Sequence, residues 1–227
     1  MAWGHNDTEC KISAFGDKFV FVMAGLVKGP GWDAHAVARE VWQNESKSIP
    51  DATQIVQSVS QEWAKRMEEI YKRPEVISGI RDHATREQVL TNTVVLTNAV
   101  FSATDKTGAL VVHGMNITYS LDILGTVSHD EIDVQPNSWI SGGRDEIINE
   151  FLNRTSLRAD QYMAEFVEQI RSLPPSDRRA ALASKLLEWS IQLHPNNSEL
   201  AFPIDVLQLR RTTGVHWISL KPSCPQK

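Results

Sequence analysis

The segment from Thr93 to Tyr119 narrows the choice of fold more than any other part of this chain. Thr93 to Thr104 is dense in Val, Leu, Phe and Thr, Asp105-Lys106-Thr107-Gly108 makes a turn, and Ala109 to Tyr119 returns. That pattern is a β-hairpin. Its strands are apolar on both faces, so the sheet that contains them needs cover on both sides. A layered structure is therefore expected, with helices or a second sheet on each face.

The remaining segments supply the layers. Two short strands, Lys11 to Phe15 and Lys18 to Ala24, meet at the turn-favouring dipeptide Gly16-Asp17. Ala34, Val37, Ala38, Val41 and Trp42 recur at helical spacing from Trp32 to about Asn44. Asp51 caps a second helix, with Gln54 placed for a capping box and a stripe of Ile55, Val56, Val59, Trp63, Met67, Ile70 and Tyr71. Arg73 to Gln88 is polar and aperiodic and reads as a long connector. A third strand of the central run is expected around Leu121 to Val127, and a short one near Trp139-Ile140. Ser141-Gly142-Gly143 opens a second helical section, with stripes at Ile147, Ile148, Phe151, Leu152 and at Tyr162, Met163, Phe166, Val167, Ile170. Ser176 or Asp177 caps a further helix that buries Leu182, Leu186, Trp189 and Leu193. Pro203 to Arg210 and Val215 to Leu220 form a closing hairpin. The order is strands, two helices, strands, helices, strands. Such segregation suits a layered α+β protein in which two helix pairs sandwich stacked sheets. One domain is expected across 1–227, with its core at about 11–220.

Composition removes several classes of function. The chain has 227 residues and a formal net charge of −5, and its Arg pairs are isolated, which argues against general nucleic-acid binding. No apolar run approaches the roughly 18 residues of a membrane span. Cys10 and Cys224 lie near opposite ends with no CxxC or Cys/His cluster, so neither a disulfide framework nor a zinc site is expected, and a reducing, cytoplasmic setting follows. The seven histidines are scattered without a metal-binding pair. Gly29-Pro30-Gly31 lacks the lysine and hydroxyl of a phosphate-cradling loop. No cofactor and no metal are expected.

The chemistry that the sequence offers lies in the opening hairpin. Lys11 begins the first strand, and Gly25 closes the second. A hairpin of this size returns both ends to one rim, where Lys11 offers an ammonium and Gly25 a bare backbone N–H. A cation beside an unhindered amide serves acyl transfer: one assists a nucleophile's proton transfer, the other stabilises an oxyanion.

This spacing of Lys11-Ile12 and Ala24-Gly25 resembles that of the proteasome-type N-terminal-nucleophile (Ntn) hydrolases. The turn from a short strand into a helix at Ser141-Gly142 is similar, and so is the closing hairpin Pro203 to Leu209 with Gly214 to Ile218. The resemblance implies a four-layer αββα sandwich and amide-bond hydrolysis of the threonine-peptidase kind. It implies a proton-transfer role for Lys11, an oxyanion-hole role for the Gly25 N–H, and an active-site position for Ser141. The sequence also departs from the family pattern. Asn196 and Asn197 stand where an orienting acid is expected, and Ala201-Phe202 replaces a pair of small residues. The ten residues up to Cys10 are too few for the family's first strand hairpin and its nucleophile; Thr8 and Cys10 are poor substitutes. The expectation is a domain of this fold, lacking that hairpin and inactive as this chain, with a peptide or small amide as substrate in a longer form. The alternative is a non-catalytic assembly subunit, a homo- or hetero-oligomer of the same fold.

Overall fold

The computed structural model describes residues 10–122, 124–132, 153, 157–193 and 206–219. Its centre is a five-stranded antiparallel sheet in the order β1-β2-β5-β6-β7. The strands are β1 (Ile12–Phe15), β2 (Phe19–Gly25), β5 (Thr93–Thr104), β6 (Leu110–Ser120) and β7 (Val127–Ile132). Between β2 and β5 come a two-stranded ribbon, β3 (Lys28–Gly29) and β4 (Trp32–Asp33), and four helices: α1 (Ala34–Glu45), α2 (Ala52–Tyr71), α3 (Pro74–His83) and α4 (Arg86–Thr91). Helices α5 (Leu157–Ile170) and α6 (Pro175–Leu193) and a hairpin, β8 (Val206–Arg210) with β9 (Gly214–Ser219), complete the described chain. The protein is thus a mixed α/β structure built on an antiparallel sheet.

Register explains which side chains are buried. Phe21 pairs with Phe101, and Phe101 with His113, so alternation gives one face to Phe15, Phe19, Phe21, Met23, Ala99, Phe101, Met115 and Ile117. Helices α1 and α2 cover this face. Trp63 meets Phe21 and Phe101 edge to face at 5.4 Å, and its indole N–H donates to the Ala34 carbonyl at 3.1 Å. Trp63, Tyr71, Tyr119, Phe21 and Phe101 are all fully buried. The opposite face carries Ile12, Ala14, Val22, Ala24, Val100 and Val112, all half-buried. The double-sided apolar pattern of the hairpin is therefore real, and β5 and β6 do pair around the Asp105 turn. Asp105 holds that turn by accepting from the Thr107 and Ala109 amides at 2.8 and 2.7 Å.

A smaller core lies between α5 and α6, where Ala159, Met163, Phe166, Leu186 and Trp189 pack together. Strand β8 touches both α6 and β5. The β8–β9 hairpin is moored to two turns of the large sheet. The Val215 amide donates to the Asp17 carbonyl at 2.7 Å, and the Arg211 guanidinium donates to the Thr107 carbonyl.

Three sequence expectations need correction or fall outside view. The connector from Arg73 to Gln88 is helical: α3 starts with Pro74 at its first turn, and α4 carries a full capping box of Thr85 and Gln88. The strand expected at Leu121 to Val127 begins only at Val127, because Asp122 accepts from the Gly125 amide at 2.8 Å and closes a turn there. The expectations at Trp139-Ile140, Ser141 to Leu152, Asn196-Asn197 and Ala201 to Pro203 lie outside the described residues.

Candidate active-site rim

The hairpin brings Lys11 and Gly25 to one rim of the sheet. Met23 N donates to the Lys11 carbonyl at 2.9 Å, so Lys11 lies across from Met23, and Gly25 is two residues further along β2. Strand spacing then puts the Lys11 and Gly25 Cα atoms roughly 9 Å apart. Backbone donors alternate along a strand. The Met23 amide faces β1 and the Leu26 amide faces β5, where it meets the Leu96 carbonyl at 2.8 Å. The same alternation turns the Gly25 amide toward the β1 side of β2, one pairing step beyond Lys11. Ser141, the third candidate, lies outside the described residues.

Gly25 is required by the backbone itself. Its φ is +100°, and a Cβ would collide with the Leu96 carbonyl oxygen and lie 2.9 Å from Thr97 Cα. Opposite it, β5 contains a bulge between Val95 and Thr97, a device common beside active sites because it re-aims the chain. Below the rim, the Tyr71 hydroxyl donates to the Leu26 carbonyl at 2.7 Å and sits 2.5 Å from Thr97 Oγ1. Burial pushes the Tyr71 phenol well above the usual tyrosine range, so it stays protonated.

Sequence reasoning missed the polar pair beside Lys11. Ser13 Oγ lies 2.7 Å from His35 Nδ1, and both residues are buried. Ser13 shares the helix-covered face of β1 with Lys11 and Phe15. His35 is held at the start of α1 by Asp33, whose Oδ1 accepts from the His35 and Ala36 amides at 2.8 and 3.1 Å. The His35 ring stands edge-on to Phe21 at 4.9 Å. Its Nε2 is buried without a hydrogen-bond partner. Burial lowers the His35 pKa to about 4; Asp33 and the Cys10 backbone oppose that shift, while Lys11 and Arg39 add to it. The ring is neutral at neutral pH. A serine hydrogen-bonded to a neutral imidazole has the elements of a nucleophile and its base. Ser13, however, is only 6% exposed and faces the helix layer.

A second such trio joins α2 to the sheet. Ser60 Oγ is 2.7 Å from His113 Nδ1, and His113 Nε2 is 3.4 Å from Glu131 Oε2. Ser60 is wholly buried, so a substrate has no route to it. The signal for both pairs is a polar residue at a core-facing position of a strand or helix.

Cys10 is disulfide-bonded, and no described cysteine is free. This overturns the expectation of no disulfide, and it removes the Cys10 thiol as a nucleophile. Among the described residues there is no group of three or more His, Cys, Asp or Glu placed to hold a metal, and no helix is long and apolar enough to cross a membrane. Compared with known protein families and with characterised proteins, the chain matches none.

Proposed function

We propose that this chain is a proteasome-like Ntn-hydrolase domain, related to threonine peptidases, inactive by itself, whose rim at Lys11 and Gly25 would serve amide-bond hydrolysis where a nucleophile is supplied. One observation supports the reading: β1 and β2 bring Lys11 and Gly25 to one rim of the sheet, with Cα atoms roughly 9 Å apart. The bulge opposite Gly25 and the half-buried apolar face of the large sheet support it. So does the contact of β8 with both β5 and α6, which is the sequence of layers an αββα sandwich needs. In this reading Lys11 assists proton transfer at a Thr, Ser or Cys nucleophile, the Gly25 N–H binds the tetrahedral oxyanion, and Ser141 borders the site. The substrate is a peptide or small amide, and no cofactor takes part. The disulfide at Cys10 favours an oxidising compartment over the cytoplasm.

The test assays the longest natural form of the protein on fluorogenic peptide amides. Turnover that falls about a hundredfold or more in Lys11→Ala supports the proposal, on the scale of losing one catalytic group. Turnover that persists in Lys11→Ala refutes it, as does a natural form with a free N-terminal Thr, Ser or Cys that cleaves no amide. A second reading, a non-catalytic assembly subunit of the same fold, is favoured by Leu90, Leu124 and Leu157, which are 77%, 83% and 86% exposed. Light scattering separates the two: a stable ring or dimer without turnover supports the second.

A further inference from the structure

Two histidines outside the proposed site tie α2 to the β6–β7 edge. Ser60 Oγ lies 2.9 Å from the Gln57 carbonyl as well as 2.7 Å from His113 Nδ1. Glu131, which faces His113 Nε2, also accepts from Gln61 Nε2 at 3.1 Å. Further along the helix, His129 Nδ1 is 2.5 Å from Glu68 Oε2, and the other Glu68 oxygen accepts from the Lys72 ammonium.

A hydroxyl has one proton, and here two acceptors compete for it. When His113 is neutral, Ser60 donates to Nδ1 and the Nε2–H faces Glu131. When the ring is protonated, Nδ1–H donates to Ser60 Oγ, and the Ser60 proton turns to the Gln57 carbonyl. The Nε2–H still faces Glu131. Both states keep these contacts satisfied, and only one hydroxyl rotates. The charged state adds charge assistance at Glu131 and, through His129, at Glu68. Both carboxylates are ionised to receive it. Burial alone would raise Glu68, but hydrogen bonds and charge from Lys72 and His129 hold it below the usual range; Glu131 is lowered by Gln61 and then His113. Lys72 works against the gain at His129, since the two cations share Glu68.

We infer that Ser60, His113 and Glu131, with Glu68 and His129 alongside, form a proton-operated clamp that grips α2 to the sheet more firmly when the histidines are charged. The test is amide hydrogen exchange along α2 in the full chain, comparing the native protein with the H113Q/H129Q double variant at about pH 8 and about pH 5.5. The titration of His35 is common to both proteins and cancels in their ratio. The native-to-variant ratio of protection should grow about threefold or more on acidification, the scale of two partly exposed ion pairs. A ratio that stays constant overturns the clamp. Glu131→Gln and Glu68→Gln provide the second arm. Each should remove part of the acid-dependent gain, and retention of the whole gain in both variants also overturns the inference.

Discussion

Replacing Gly25 by alanine should cost far more than an exposed turn glycine normally does, and the structure supplies its own control. The position is exposed, yet its φ of +100° lies beyond the small left-handed region that L-residues tolerate. That conformational cost alone is about 1–2 kcal/mol. The new methyl would also strike the Leu96 carbonyl and Thr97 Cα, which are backbone atoms and have no rotamer with which to yield. Relief requires the end of β2 to lift from β5, with loss of the Leu26-to-Leu96 hydrogen bond, a further ~1–2 kcal/mol. The sum is about 2–4 kcal/mol. Gly31 isolates the first part: its φ is +74°, and a Cβ there meets nothing within 4 Å. Gly31→Ala should therefore lose only the conformational share. In urea denaturation, Gly25→Ala should lower the midpoint by roughly 1–2 M, and Gly31→Ala by about half as much or less. Equal shifts for the two variants would refute the backbone-collision argument. A shift below about 0.3 M for Gly25→Ala would also refute the strain that fixes glycine at this rim.

Two further outcomes follow from the same rim. His35 is neutral in the folded protein, with a pKa near 4 against 6.5 for an ordinary histidine, so the unfolded chain binds the extra proton between those values. Stability is then complete above about pH 6.5 and falls as the pH drops toward 4, by up to about 3 kcal/mol; His35→Gln should flatten that part of the urea-midpoint profile, and an unchanged slope would contradict the assignment. Thiol titration of the denatured but unreduced chain should find no reactive cysteine and, after reduction, two; one or two free thiols before reduction would remove the disulfide at Cys10.

Much of the frame is legible in the residues because it depends on local signals. Gly16-Asp17 and Asp105 to Gly108 specify the two hairpin turns, and Asp51 starts α2, accepting from the Thr53 and Gln54 amides. The segment after Arg73 is harder because helix α3 shows little apolar repeat beyond Val76 and Ile80, and its Pro74 reads as a breaker until its place at the first turn is known. Strand β7 was hidden for another reason. It lies at the sheet edge, its sequence Val-Ser-His-Asp-Glu-Ile is mostly polar, and only Val127 is buried. At the site, pairing arithmetic places Lys11 and Gly25 on one rim from spacing alone. Ser13 and His35 come together through the docking of α1 on β1, and Ser60 and His113 through the docking of α2 on β6. Neither contact leaves a trace in the short-range pattern.

The mooring of Val215 to the Asp17 carbonyl has a consequence for the order of events during synthesis. All five strands of the large sheet and the two helices on it come from residues 12–132, so that unit can assemble while the ribosome is still translating the remainder. The β1–β2 turn, however, gains its outside partner only after the β8–β9 hairpin has emerged. Gly214 sets how closely the two can approach, since a methyl there would drive into the Asp17 carbonyl. Closure of this contact is thus a non-local event that joins residues about two hundred positions apart, and a nascent chain stalled short of Gly214 would carry the β1–β2 turn without its outside partner.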